Sequence, residues 1–143
     1  ALNEPIGVAV GPNGEIYVAD KANYLVQVFD ANGVFINQWG GNGSADGLFG
    51  YDGPTSLIVS ASGLVFVADP GNSRIQVFQL DGNWVGAWGT YGTGQGQFYY
   101  PNSVAPAGGT VYVADELNNR IQAFQLSVAL DLPERLYLPL LRR

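Results

Sequence analysis

Leu64-Val-Phe-Val-Ala-Asp69 decides the fold. Four positions in a row, Val65 to Ala68, are apolar. A half-exposed strand alternates apolar and polar residues, so a strand with this pattern is covered on both faces. The stretch occurs three times, as Glu15-Ile-Tyr-Val-Ala-Asp20, Leu64–Asp69 and Thr110-Val-Tyr-Val-Ala-Asp115. The three aspartates stand 49 and 46 residues apart. The flanks repeat in step. Val26-Gln-Val-Phe29 matches Ile75-Gln-Val-Phe78 and Ile121-Gln-Ala-Phe124, and Trp39-Gly40 matches Trp88-Gly89. Pro5, Pro54 and Pro101 each precede a first strand.

Each repeat reads as four short strands. In the second they lie near 55–59, 64–68, 75–79 and 84–88. The turns between them, Ser60-Ala-Ser-Gly63, Pro70-Gly-Asn-Ser73 and Asp81-Gly82, are rich in turn formers. A small four-stranded sheet covered on both faces and repeated at this spacing is what stacked propeller blades require. The fold class is all-β: three four-stranded antiparallel blades, half or a fragment of a β-propeller, plus a strand-like C-terminal tail. The expected division is 1–53, 54–100 and 101–132 for the blades and 133–143 for the tail.

These residues resemble the NHL repeat. Pro5-Ile-Gly-Val-Ala-Val10, the Ile-Tyr-Val-Ala-Asp stretch, Asn72-Ser-Arg-Ile-Gln-Val-Phe78, Asn119-Arg-Ile-Gln-Ala-Phe124 and the Trp-Gly pairs stand where that pattern has them. Gly92-Thr-Gly-Gln-Gly-Gln-Phe98 is similar to the family's glycine-rich link between blades. The likeness covers residues 5 to 126. It implies a β-propeller of about six blades. The first repeat departs from the pattern, with Tyr24 expected where Arg74 and Arg120 sit. The third lacks the Trp-Gly strand, so its fourth strand is open.

Six such blades need about 280 residues, and the chain has 143. Each end blade therefore leaves a sheet face bare, and a bare apolar face invites association. Two chains close a ring, chains add head to tail into a filament, or the chain is a piece of a longer propeller. The start at Ala1 fits a processed or excerpted chain.

After Leu126 the repeat ends. Val128, Leu130 and Leu132 share one face of a strand-like stretch that completes the third blade on the simpler reading. Leu136, Leu138 and Leu140 share another, beside Tyr137, with Pro139 confining the segment to an edge or groove. That segment packs locally or docks on a neighbouring subunit as an added strand. Tyr137-Leu-Pro-Leu-Leu-Arg-Arg143 also resembles the C-terminal tails of some secreted bacterial proteins. Asp131 with Glu134 fits a capping box for a short helix, which Pro139 would end.

Asp20, Asp69 and Asp115 end the second strands, and Asn23, Asn72 and Asn118 follow three residues later. Such oxygens are calcium-ligand types. Their identical use in every blade favours turn closure by Asx hydrogen bonds. Arg74 and Arg120 are repeat-periodic too, which favours a bond to a carboxylate or carbonyl of the next blade over an acidic ligand. Trp39 and Trp88 are blade-packing positions. Tyr51, Tyr91, Tyr99 and Tyr100 lie in the links, where propellers vary and bind, and are the candidate contacts for a protein or glycan. Asp46 and Asp52 share one link, but nothing local sets their separation. Asn42-Gly-Ser44 is an N-glycosylation sequon, which makes Asn42 the candidate site.

Composition narrows the chemistry. There is no His, Cys or Met, and net charge is −6 from 6 basic and 12 acidic residues. The usual zinc and copper sites, disulfides, thiol nucleophiles and His-based acid–base catalysis are excluded. The resemblance also brings a zinc lyase with His ligands and RNA-binding relatives with basic faces. The first cannot be carried to a chain without His, and the acidic charge opposes the second. No run is long enough for a membrane-spanning helix. The expectation is a non-enzymatic extracellular or cell-surface assembly protein with no catalytic residue, metal or cofactor, which associates with itself through blade faces and tail as a homo-oligomer or filament subunit. The alternatives are a protein- or glycan-binding propeller completed by dimerisation, and a fragment of a longer propeller. Nucleic acid is not an expected partner.

Overall fold

The computed structural model describes residues 1–126. The tail residues Val128, Leu130, Leu132, Leu136, Tyr137, Leu138 and Leu140 lie outside the described residues, as does any fourth strand of the third blade. Three antiparallel sheets follow one another along the chain. Blade 1 holds β1 (Pro5–Val10), β2 (Ile16–Asp20), β3 (Leu25–Phe29) and β4 (Phe35–Gly40), paired in that order. Blade 2 holds β5 (Ser56–Val59), β6 (Leu64–Asp69), β7 (Arg74–Gln79) and β8 (Trp84–Trp88) in the same order. Blade 3 has β9 (Pro101–Ala107), β10 (Thr110–Asp115) and β11 (Arg120–Gln125).

Local chemistry sets the turns. After β2, β6 and β10 the chain makes one 3-10 turn, at Lys21–Asn23, Pro70–Asn72 and Glu116–Asn118. Each ends on a left-handed residue, Tyr24, Ser73 or Asn119. The β3–β4 and β7–β8 hairpins turn on Gly33 and Gly82, whose φ values of 81° and 92° suit glycine. Register corrects one expectation. Asp69 pairs with Arg74 and Asp115 with Arg120, while Asp20 pairs with Leu25. The residue in the arginine's place is therefore Leu25. Tyr24 is the left-handed turn residue, equivalent to Ser73 and Asn119, and is displaced from that place by one position.

Each sheet has a forward face toward the next blade and a backward face toward the preceding one. Tyr17, Ala19, Val26 and Val28 of blade 1 pack on Leu57, Val65, Val67 and Phe78 of blade 2. Phe66, Ala68, Ile75 and Val77 of blade 2 pack on Val104, Val111, Val113 and Phe124 of blade 3. A tryptophan closes each junction. Trp39 lies 5.6 Å from Phe78, and Trp88 lies 5.7 Å from Phe124, ring centre to ring centre. Sandwiching explains why β6 is apolar throughout: Val65, Phe66, Val67 and Ala68 are all fully buried. In β10, of the last blade, burial alternates, with Val111 and Val113 buried and Tyr112 and Ala114 only half-buried.

Candidate functional site

Buried carboxylates organise the links between blades. Asp69 is fully buried. Its Oδ1 accepts the Gly50 N–H at 2.8 Å. Its Oδ2 accepts Asn72 Nδ2 at 2.9 Å, Arg74 Nε at 2.8 Å and Gln76 Nε2 at 3.1 Å. The same donors grip the link arriving from blade 1. The arginine's partners thus lie in its own blade and the link before it, not in the next blade, because the strand pairing sets Arg74 beside Asp69. Arg74 Nη2 donates to the carbonyls of Ala45 and Leu48, both at 2.9 Å. Gln76 Nε2 donates to the Leu48 carbonyl at 2.7 Å, while its Oε1 accepts the Gly47 N–H at 3.0 Å. Asn72 donates to the Gly43 carbonyl at 2.9 Å. A loop rich in glycine carries many backbone groups that need partners, and this clamp supplies them.

Blade 3 repeats the clamp. Asp115 accepts the Tyr99 N–H, Asn118, Arg120 and Gln122. Arg120 donates to the carbonyls of Thr93, Gly94 and Gln97, and Asn118 to that of Gly92. Blade 1 has the clamp without its cation. Asp20 accepts the Asn3 N–H at 2.7 Å, Asn23 Nδ2 at 2.7 Å and Gln27 Nε2 at 2.6 Å, with Leu25 beside it. Each of the three carboxylates thus accepts at least three protein donors. Among the described residues no group of three or more His, Cys, Asp or Glu is placed to hold a metal ion. Gln27, Gln76 and Gln122 were missed as functional positions. The available signal was a glutamine recurring inside an otherwise apolar strand motif.

The link tyrosines stand apart from the clamps. Tyr51 and Tyr91 are 75% and 68% exposed. Tyr91 and Tyr99 meet edge to face at 5.1 Å. Tyr100 is half-buried in a left-handed conformation. Tyr51 shares a shallow groove with Glu4, Lys21, Tyr24 and Asp52. Lys21 Nζ lies 3.1 Å from Asp52, and that hydrogen bond raises the lysine pKa. The four tyrosines therefore do not converge: one pair sits on the second link and Tyr51 on the first. Nor do Asp46 and Asp52 converge, since Asp46 lies 3.8 Å from Arg74 and Asp52 pairs with Lys21. Asn42 is exposed, as is Ser44.

The most unusual surface is the backward face of blade 1. Val8 is 68% exposed, whereas its equivalents Leu57 and Val104 are 4% and 5% exposed. Ile6 and Val10 are 56% and 66% exposed on the same strand. Phe29 is half-buried, whereas Phe78 and Phe124 are almost fully buried. A groove beside it is lined by Leu2, Gln27, Phe29, Phe35 and Gln38.

The NHL repeat model matches residues 2–29. No curated protein matches the sequence. Among solved structures, virginiamycin B lyase from Staphylococcus aureus is similar over 87% of this chain and 38% of its own, at 13% identity and TM-score 0.60. A streptogramin B lyase is similar over 94% and 39%, at 14% identity and TM-score 0.67. Hydrazine synthase of Kuenenia stuttgartiensis is similar over 94% and 37%, at 20% identity and TM-score 0.62. The chain thus spans well under half the length of these neighbours, and the likeness is one of fold. Residues 2–29 match the NHL repeat, and the chain carries the β-propeller fold in three consecutive blades.

Proposed function

We propose that this chain is a non-enzymatic structural module that assembles by packing its open blade faces on further propeller blades. The observation that carries the reading is the exposure of Val8, 68% against 4% and 5% at the equivalent Leu57 and Val104. A β-branched apolar row left bare on a small sheet is an association surface. The backward face of blade 1 presents the half that blades 2 and 3 each present at the junctions inside the chain. Copies therefore add head to tail, closing as a ring or continuing as a filament. The absence of His and Cys from the sequence supports a non-catalytic role. The lyases of similar fold are only 13% and 14% identical. In the same reading the protein works outside the cell, where the exposed Asn42 sequon can carry a glycan.

Light scattering of the purified chain tests the proposal. The mass should rise with concentration above that of one chain, and Val8→Lys with Val10→Lys should return it to one chain. A single-chain mass at every concentration overturns self-association. A second reading, a protein- or glycan-binding module, is favoured by the exposed Tyr91–Tyr99 pair. Loss of a captured ligand in Tyr91→Ala, with assembly unchanged, would separate it from the first.

A further inference from the structure

The two internal junctions share their strand register but not their filling. At the first, Ala9 pairs with Tyr17, and the buried Tyr17 donates its hydroxyl across the junction to the Leu80 carbonyl at 3.4 Å. At the second, Ile58 pairs with Phe66 in the same register. Leu126 follows Phe124 there as Leu80 follows Phe78, two residues on. Phe66 thus stands in the place of Tyr17, and Leu126 in that of Leu80, but Phe66 has no hydroxyl to reach across. A cavity of about 220 Å³ opens at this point. Its apolar wall is Ile58 and Phe66 of blade 2 with Pro106, Val111 and Leu126 of blade 3.

We propose that this cavity binds a small phenol, a single aromatic ring that carries one hydroxyl. The chain supplies the precedent, because a tyrosine phenol spans the matching place one junction earlier. Size agrees. An apolar cavity of about 150 Å³ takes up benzene, so the space beside Phe66 holds one substituted ring. It falls short of the roughly 300 Å³ at which pockets for drug-sized ligands begin. Chemistry agrees too. Apolar walls hold the ring, which packs on Phe66, and the hydroxyl faces the Leu126 carbonyl as that of Tyr17 faces Leu80. Among the described residues no Lys or Arg lines the cavity, so an ionised carboxylate would lose its water without gaining a partner. The ligand is therefore neutral. The cavity lies within one chain, so its occupation is independent of how copies assemble.

Titration of the full chain with p-cresol, the side chain of tyrosine as a free molecule, tests the site by NMR. Saturable shifts at Ile58, Val111 and Leu126 are expected. Toluene, the same ring without the hydroxyl, should bind about three- to tenfold more weakly, the worth of one hydrogen bond. Phe66→Tyr should fill the space from within and abolish the shifts, with a melt verifying its fold. Ala61 lines the cavity and is exposed, so Ala61→Trp should fold normally and block entry, whatever becomes of Phe66→Tyr. Absence of saturable shifts in the natural chain, or an unchanged affinity in Ala61→Trp, overturns the site. Toluene bound as tightly as p-cresol overturns the phenol as its ligand.

Discussion

Arg74 and Asp69 meet across paired strands, Nε to Oδ2, at 2.8 Å, with the carboxylate fully buried and the guanidinium reaching on to two carbonyls of the preceding link. Carboxylate and arginine therefore join a blade to the loop that enters it. Blade 1 shows what survives without the cation, because Leu25 stands in the arginine's place and Asp20 keeps three other donors.

The two partners of that pair should differ in cost. Arg74→Leu leaves Asp69 with Gly50, Asn72 and Gln76, and should cost about 1–3 kcal/mol. Asp69→Ala leaves the half-buried arginine without its carboxylate and takes the acceptor from the Gly50 N–H, Asn72 and Gln76 as well, and should cost about 3–5 kcal/mol. Urea denaturation of both variants checks the order. Equal costs would mean that the link, and not the carboxylate, is what the pair holds.

Trp39 should tolerate loss of its nitrogen and not of its ring. Its Nε1 is buried with no hydrogen-bond partner among the described residues, while its ring touches Tyr17 and Phe78. Trp39→Ala should cost about 3–5 kcal/mol. Trp39→Phe should cost clearly less, because it removes an orphaned donor along with some area. The midpoints of thermal melts give the comparison.

Equivalent positions should respond oppositely on open and closed faces. Leu57→Ala, inside the first junction, should cost about 2–5 kcal/mol. Val8→Ala, at the same place on blade 1 but 68% exposed, should stay within about 0.5 kcal/mol. Measured at low protein concentration, a large Val8 effect would show that something already covers this face.

Alkaline pH should weaken the fold through Tyr17. Burial pushes its phenol above the ordinary value of 10.0, with Glu15 and Asp81 adding to the effect. The unfolded chain then releases the proton at a lower pH than the folded one. The stabilisation is complete below about pH 10 and is lost as pH rises through the folded value, at no more than about 1.4 kcal/mol per pH unit for one proton. Melts from about pH 9 to 11 should fall for the natural chain and flatten for Tyr17→Phe. A residual slope of the same sign is expected from Lys21, whose pKa Asp52 raises.

The repeat, the strands and the turns were legible in the sequence because each is set by local chemistry. Val65–Ala68 is apolar at every position, since both faces of β6 are sandwiched. Gly33 and Gly82 take backbone angles that few other residues adopt. Arg74 and Arg120 fall five residues after an aspartate, a spacing that antiparallel pairing closes. The one-residue misplacement at Tyr24 arose because a turn of fixed length has to be counted from its left-handed residue, which side-chain type did not reveal.

The sequence by itself determined three blades, their order and the strands within each. Only the tertiary structure decided which faces are covered. Val8, Leu57 and Val104 are apolar residues at one repeat position, and their exposure differs more than tenfold because a neighbouring blade is present for two of them and not for the first. The same holds for the glutamines, whose amides bridge a carboxylate and a loop that are distant along the chain. A strand's pattern is written in its own residues. Its burial depends on what the rest of the assembly brings against it.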